Sequence, residues 1–379
     1  MENSVNLVSS LHVNISFMAT SRRHFIRQAA SLTAFTSVKP AVHGEIASLT
    51  NDVRIDLCLA YFYGLQERKI ALSKQMGITG AVSPSGPWMV GLNNTHAWEY
   101  EALRAVKEAY AKRGLRWIVL EGTPPLDKAK LGVNGRDEEI DNFITLMKNM
   151  QRIGVDTICY NWMPVISWAR TDFDKVGRGG ALVTAFNYDK VKDLDLTEYG
   201  EVTEEMMWKN ITYFLKALVP EAEKYGIKLA LHPDDPPVPK IRGIARIMRT
   251  ADAFKRLIEI YPSAYNGITL CQGTFATMGE DIPSVIKYFG ERKKRFFVHF
   301  RDVRGDRWNF EETFHDEGKT DMYEAMKTYF KVKFNGPMRE DHVPTVEGDS
   351  NEHPGYSEYG TLFAMGYIKG LIEAASKEL

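Results

Sequence analysis

The sequence predicts a (β/α)8 barrel of the TIM type, on three observations. Short β-branched or aromatic runs alternate with longer segments of helical period, eight such runs can be counted, and metal-ligating side chains fall at the ends of the later ones. The runs cover residues 55–61, 79–83, 116–121, 156–161, 228–232, 267–271, 295–300 and, with the weakest pattern, 334–341. Alternating strands and helices bury a parallel sheet on both faces, and eight units close most simply into a barrel.

The helices between the runs are clearer. Ile140, Phe143, Ile144, Met147 and Met150 share one face of a 3.6-residue period, and Met206, Ile211, Phe214, Leu215 and Leu218 repeat the pattern. Residues 162–200 and 301–320 exceed the minimal repeat, the first with Gly177, Gly179 and Gly180 before an apolar run, which suggests a hairpin. Long loops after barrel strands shape or cover the mouth, where barrel chemistry occurs.

Composition bounds the partners. The 379 residues are 44% hydrophobic and 26% charged with a formal charge of −1, which gives neither nucleic acid nor an anionic membrane the basic patch it would need. No run of 18 or more apolar residues suggests a bilayer span. Cys58, Cys159 and Cys271 are too few and too scattered for a disulfide framework. A barrel of this size is compatible with a homo-oligomer, but no heptad marks an interface.

Residues 1–44 read as an N-terminal extension and 45–379 as a single catalytic barrel. Within the extension, Arg22-Arg23 followed by Phe25-Ile26, an apolar stretch from Gln28 to Val38 and the small-residue site Val42-His43-Gly44 resemble a twin-arginine export signal. That reading sends the folded protein to the periplasm. The alternative is an extension of a cytoplasmic enzyme, with translation starting at Met18.

Four strings place a potential ligand at a strand end: Leu229-Ala230-Leu231-His232, Ile268-Thr269-Leu270-Cys271, Phe297-Val298-His299 and Arg339-Glu340-Asp341. Singly each has an ordinary structural explanation. Together, two imidazoles, a thiolate and a carboxylate make a complete protein shell for one divalent transition metal. Asp234 and Asp235 could either orient His232 or simply solvate a turn, and Gly273 serves either a close backbone approach or a tight turn. Cys58 and Cys159 are assigned to packing. The two-residue strand period puts His299 with Arg301 and Arg339 with Asp341, so either an anionic substrate or an aspartate must neutralise these guanidinium groups; Asp302 is one candidate. His342 and Tyr356 are an imidazole and a phenol within reach of the same mouth, a workable acid–base pair.

Further strings extend the pattern: Cys159-Tyr160-Asn161-Trp162-Met163-Pro164-Val165, Trp168-Ala169-Arg170-Thr171-Asp172, His232-Pro233-Asp234-Asp235-Pro236-Pro237, Phe314-His315, Asp321-Met322 and Pro354-Gly355-Tyr356. Taken with the ligand strings, in order over roughly residues 55–375, the chain resembles the mannonate dehydratases. The resemblance implies a xylose-isomerase-like barrel that dehydrates D-mannonate to 2-keto-3-deoxy-D-gluconate in hexuronate breakdown, with Fe2+ or Mn2+. It places the metal on His232, Cys271, His299 and Asp341 and the acid–base pair on His342 and Tyr356. Asn161, Arg170, Arg301 and Arg339 are the candidates to bind the aldonate. Glu340 stands where the family usually has proline and Val343 where it usually has glycine, departures that bear on which aldonate is preferred. The competing readings are a metal-dependent sugar isomerase or epimerase on the same barrel, and a non-catalytic, exported sugar-acid-binding protein.

Overall fold

The computed structural model describes residues 53–378; the export-like leader lies outside the described residues. Eight parallel strands close into a barrel: β1 (Arg54–Ala60), β2 (Gly80–Ser83), β3 (Arg116–Glu121), β4 (Thr157–Asn161), β5 (Lys228–His232), β6 (Asn266–Cys271), β7 (Arg295–His299) and β8 (Asn335–Arg339). Each pairs with its neighbours in the chain, and β1 pairs with β8 to complete the ring. These are the eight runs expected from sequence, shifted by a residue or two at some ends.

The barrel is packed, not hollow. Cys58, Val82, Val119, Cys159, Ala230, Phe296 and Phe297 fill the lumen, while a larger apolar layer joins the strands to the surrounding helices. Helix Arg136–Ile153 buries Ile140, Phe143, Met147 and Met150 as its period predicts, and adds Leu146. Helix Glu204–Tyr225 differs in one place: Met206 is exposed and Met207 takes the buried position. Met207 stands four residues before Ile211 and so shares its face, whereas Met206, five before it, faces out; the Thr203 side chain caps the helix by accepting from the Met206 N–H.

The two excursions meet. Strands Asp172–Val176 and Leu182–Asn187 from the first, and Val303–Asp306 and Asn309–Glu312 from the second, form one antiparallel sheet. Phe310 is in register with Phe186 at its centre, and the two rings pack with centroids 5.8 Å apart. Each hairpin alone would be marginal; pairing them gives a four-stranded cap. No helix among the described residues is long and apolar enough to cross a membrane.

Candidate metal centre and active site

Strand register sets the level of the site. Asn161 at the end of β4 pairs with His232 at the end of β5, Cys271 of β6 pairs with His299 of β7, and His299 pairs with Arg339 of β8. Five polar side chains thus lie in one ring at the barrel mouth. The chain then turns sharply, and Asp341 takes φ of 63°, a left-handed conformation that a non-glycine residue adopts at a cost of order 1–3 kcal/mol. That turn brings the carboxylate back over the ring.

The ligand atoms of His232, Cys271 and His299 lie within 4.8 Å of one another. Asp341 Oδ2 is 3.5 Å from Cys271 Sγ and 3.6 Å from His299 Nδ1. Donors that each sit about 2.0–2.3 Å from one ion have separations of this order. His232 donates through Nδ1 to the Pro233 carbonyl at 2.7 Å, which leaves Nε2 as the lone-pair nitrogen. Its orientation therefore comes from the backbone. Asp234 instead accepts from the Met248 N–H, and Asp235 is occupied by arginines, so neither orients His232 as the sequence suggested. Thr274 donates to Cys271 Sγ at 3.1 Å, a contact that orients the sulfur.

Two observations test whether a divalent cation suits this shell. His299 is fully buried, yet neither of its ring nitrogens makes a hydrogen bond. Burial and Arg339 push its pKa down, but Glu121 and Asp341 outweigh them and push it up to about 9, so the position attracts positive charge. The second observation is charge balance. Glu121, Asp235, Glu312 and Asp341 bring four negative charges, Arg170, Arg301 and Arg339 bring three positive, and a Cys271 thiolate leaves an excess of two. A divalent cation matches that excess, so the residues fit the group.

Arg301 and Arg170 lie elsewhere than expected. Arg301 donates to Asp341 at 2.5 Å, Glu312 at 2.6 Å, Asp235 at 2.9 Å and Thr274 at 3.0 Å, and packs over Gly273, where a Cβ would come within 2.6 Å of its guanidinium. Arg170 is held by Asp235 and Glu312. Neither lines the cavity, and both are tied to carboxylates, which argues against substrate contact. Asp302 takes no part; it accepts from Val303 and Thr320. Arg339 does line the cavity, with Glu121 bonded to Nε and Nη2 and Asp341 2.8 Å from Nη1.

Above the ligands is a cavity of about 280 Å³, walled by Phe62, Glu121, Asn161, Trp168, Arg339, His342 and Tyr356 among others. Burial alone would raise the Asp341 carboxyl, but His342, Arg339, His299 and Arg301 hold it well below the usual range. The His342 and Tyr356 rings meet edge to face at 5.4 Å. His342 Nδ1 lies 3.0 Å from Glu312 Oε1. Burial would raise Glu312 too, yet Arg301, His342 and Arg170 lower it to about 2, so it stays a carboxylate. Sequence reasoning missed Glu312 and Glu121. Glu312 comes from the cap, and no spacing relates it to a barrel strand; Glu121 ends β3, where the strand-end logic would have found it.

Other donor clusters exist among the described residues, Glu121–Cys159–His299 and Asp235–Glu312–His342. Arg339 occupies Glu121 and two arginines occupy the second cluster, so neither offers free carboxylates. Cys159 lines the cavity floor, where it accepts from Thr269, and burial raises its thiol pKa well above the ordinary value.

With this geometry in place, the comparisons decide the lineage. The family model for D-mannonate dehydratase (UxuA) matches residues 55–198 and 194–379. This chain belongs to the D-mannonate dehydratase family. A mannonate dehydratase of Streptococcus agalactiae serotype Ia is 36% identical over 307 residues, covering 74% of this chain and 88% of the relative. Mannonate dehydratase 2 of Halalkalibacterium halodurans is 32% identical over 350 residues, covering 84% and 99%. The crystal structure of mannonate dehydratase from Streptococcus suis serotype 2 superposes with a TM-score of 0.80 at 31% identity, covering 86% of this chain and 95% of that one. A xylose isomerase domain protein from Planctomyces limnophilus, 12% identical with a TM-score of 0.53 and covering 86% and 99%, shares the fold. The barrel expected from sequence is thus confirmed in both topology and kinship.

Proposed function

We propose that this chain dehydrates D-mannonate or a closely related aldonate to the 2-keto-3-deoxy acid, with Fe2+ or Mn2+ held by His232, Cys271, His299 and Asp341. What supports this reading is the cluster of His232, Cys271 and His299, with Asp341 beside the latter two, next to a cavity lined by His232, Asp341, His342 and Tyr356. The bound ion would supply the positive charge that makes a carboxylate-adjacent C–H acidic enough to ionise.

The chain's own residues do the rest. Arg339 and Asn161 line the cavity and bind the aldonate's carboxylate and hydroxyl oxygens. Glu312 accepts from His342 Nδ1, which fixes the tautomer and leaves Nε2 to exchange a proton with substrate. Between them His342 and Tyr356 take the C2 proton and return one to the departing C3 hydroxyl. The resulting enol becomes the 2-keto product. Phe62 and Trp168 close the cavity sides and limit water.

The test is to load purified protein anaerobically with iron or manganese, supply a panel of aldonates and assay for 2-keto-3-deoxy acid. Product from D-mannonate supports the proposal; no product from any aldonate overturns it. For the leader we propose export, on the Arg22-Arg23 motif alone; cell fractionation that finds the protein only in the cytoplasm would remove that reading.

A further inference from the structure

We propose that Lys130 is a positioning residue that locks the side-chain amide of Asn161, so that Asn161 meets the substrate with N–H donors only. The inference deepens the dehydratase reading and rests on it for the identity of the ligand.

Lys130 lies in the short helix Asp127–Leu131 that follows β3, and only 6% of it is exposed. A lysine so enclosed is unusual unless its ammonium has a task. Its Nζ donates to Asn161 Oδ1 at 3.1 Å and to the Met163 carbonyl at 3.3 Å. The Met163 N–H donates to the same Oδ1, also at 3.1 Å. Both lone pairs of the Asn161 oxygen are therefore taken. Flipping the amide would set its NH2 against an ammonium and an N–H, three donors with no acceptor. The main-chain carbonyl of Lys130 is itself held by the Asn210 amide at 2.9 Å, which keeps the helix in place.

The consequence faces the cavity. Asn161 lines it, and with Oδ1 held by Lys130 and the Met163 N–H, Nδ2 is the amide atom left for the substrate space. Asn161 pairs with His232 in the sheet, so the backbones of the two residues stand one strand spacing, roughly 4.8 Å, apart at the same level of the barrel mouth. A donor-only group there favours a carboxylate oxygen over the NH2 of the corresponding neutral amide. Lys130, which is not a lining residue, would thus set part of the preference for an acid.

The experiment compares aldonate and aldonamide as ligands of wild type, Lys130→Met, Lys130→Arg and Asn161→Asp, with binding measured calorimetrically in metal-loaded Tyr356→Phe protein. Lys130→Met keeps the volume of the side chain and loses its donors. It should weaken aldonate binding about tenfold and cut the aldonate-over-aldonamide preference by a similar factor. In otherwise wild-type enzyme it should raise KM with kcat within about threefold. Lys130→Arg should recover part of both effects, and Asn161→Asp should reverse the preference. An unchanged preference in well-folded Lys130→Met overturns the proposal, as does an arginine variant no better than methionine at equal thermal stability. Should Lys130→Met fail to fold, an Asn161→Asp variant that keeps the wild-type preference overturns it instead. Because binding is read in a variant that need not turn over, absence of dehydratase activity in wild type would sink the functional reading without deciding this one.

Discussion

The strand ends of the barrel and the antiparallel cap above them serve the same site in different ways. The barrel supplies the proposed ligands: one residue each from β5, β6 and β7, and one from the turn after β8. The cap supplies Glu312, and Arg170 stands just before its first strand; neither lines the cavity. Their role is to hold His342 and Asp235 from behind. Covalent succession along β/α units can place ligands, but orienting an imidazole from above takes a second layer. Substitutions in the two regions should therefore fail differently.

The largest effect belongs to the barrel. His299→Ala and Cys271→Ser should each lose most bound metal and reduce turnover by on the order of 10³-fold or more. Elemental analysis beside kinetics checks this, and a fully metallated, active His299→Ala would break the comparison at its base. Next come the two proposed acid–base residues. His342→Asn and Tyr356→Phe should keep near-normal metal and lower kcat by about 10²–10⁴-fold, the usual worth of a positioned acid or base. Metal loss in these variants would mean that they support the shell instead.

Glu312→Gln tests the cap directly. The substitution preserves shape but replaces the carboxylate that accepts from His342 Nδ1 and orients the ring, so kcat should drop by about 10–100-fold with metal stoichiometry unchanged. The melting temperature should also fall, because Arg170 and Arg301 each lose a buried partner. An unaltered kcat with lowered stability would reduce the cap to a cover.

The same division explains what could be read from residues alone. The meeting of His232, Cys271, His299 and Asp341 at the barrel mouth was legible because the strand period and the barrel rule both point to the last residue of a strand or the turn beyond it. The arginines were half legible: a buried guanidinium requires an anion, but spacing does not say which one. Arg301 found Asp341, Glu312 and Asp235, two of them from other loops. Glu312 was invisible because its position depends on two excursions, more than a hundred residues apart, pairing as one sheet. Local pattern carries no information about that pairing.

The smallest effect on chemistry should come from a residue that touches the site only in sequence. Glu340 precedes the ligand Asp341, yet its side chain turns away to Lys69, 3.9 Å distant, with both side chains almost wholly buried. Its carbonyl accepts from His315 at 2.9 Å, so the backbone there is held independently of the carboxylate. Burial pushes Lys69 down and Glu340 up, each toward its neutral form, against the attraction between them. A pair under that opposition contributes little net stability, although removing one member strands the other. Lys69→Met or Glu340→Gln should thus cost about 3 kcal/mol in denaturant unfolding, while the double replacement Lys69→Met with Glu340→Leu should recover most of it. In all three variants kcat should stay within a few-fold of wild type, since neither group lines the cavity. A large loss of kcat at intact metal content would show instead that this pair sets the left-handed turn at Asp341, and would extend the orienting layer from the cap to the underside of the barrel mouth.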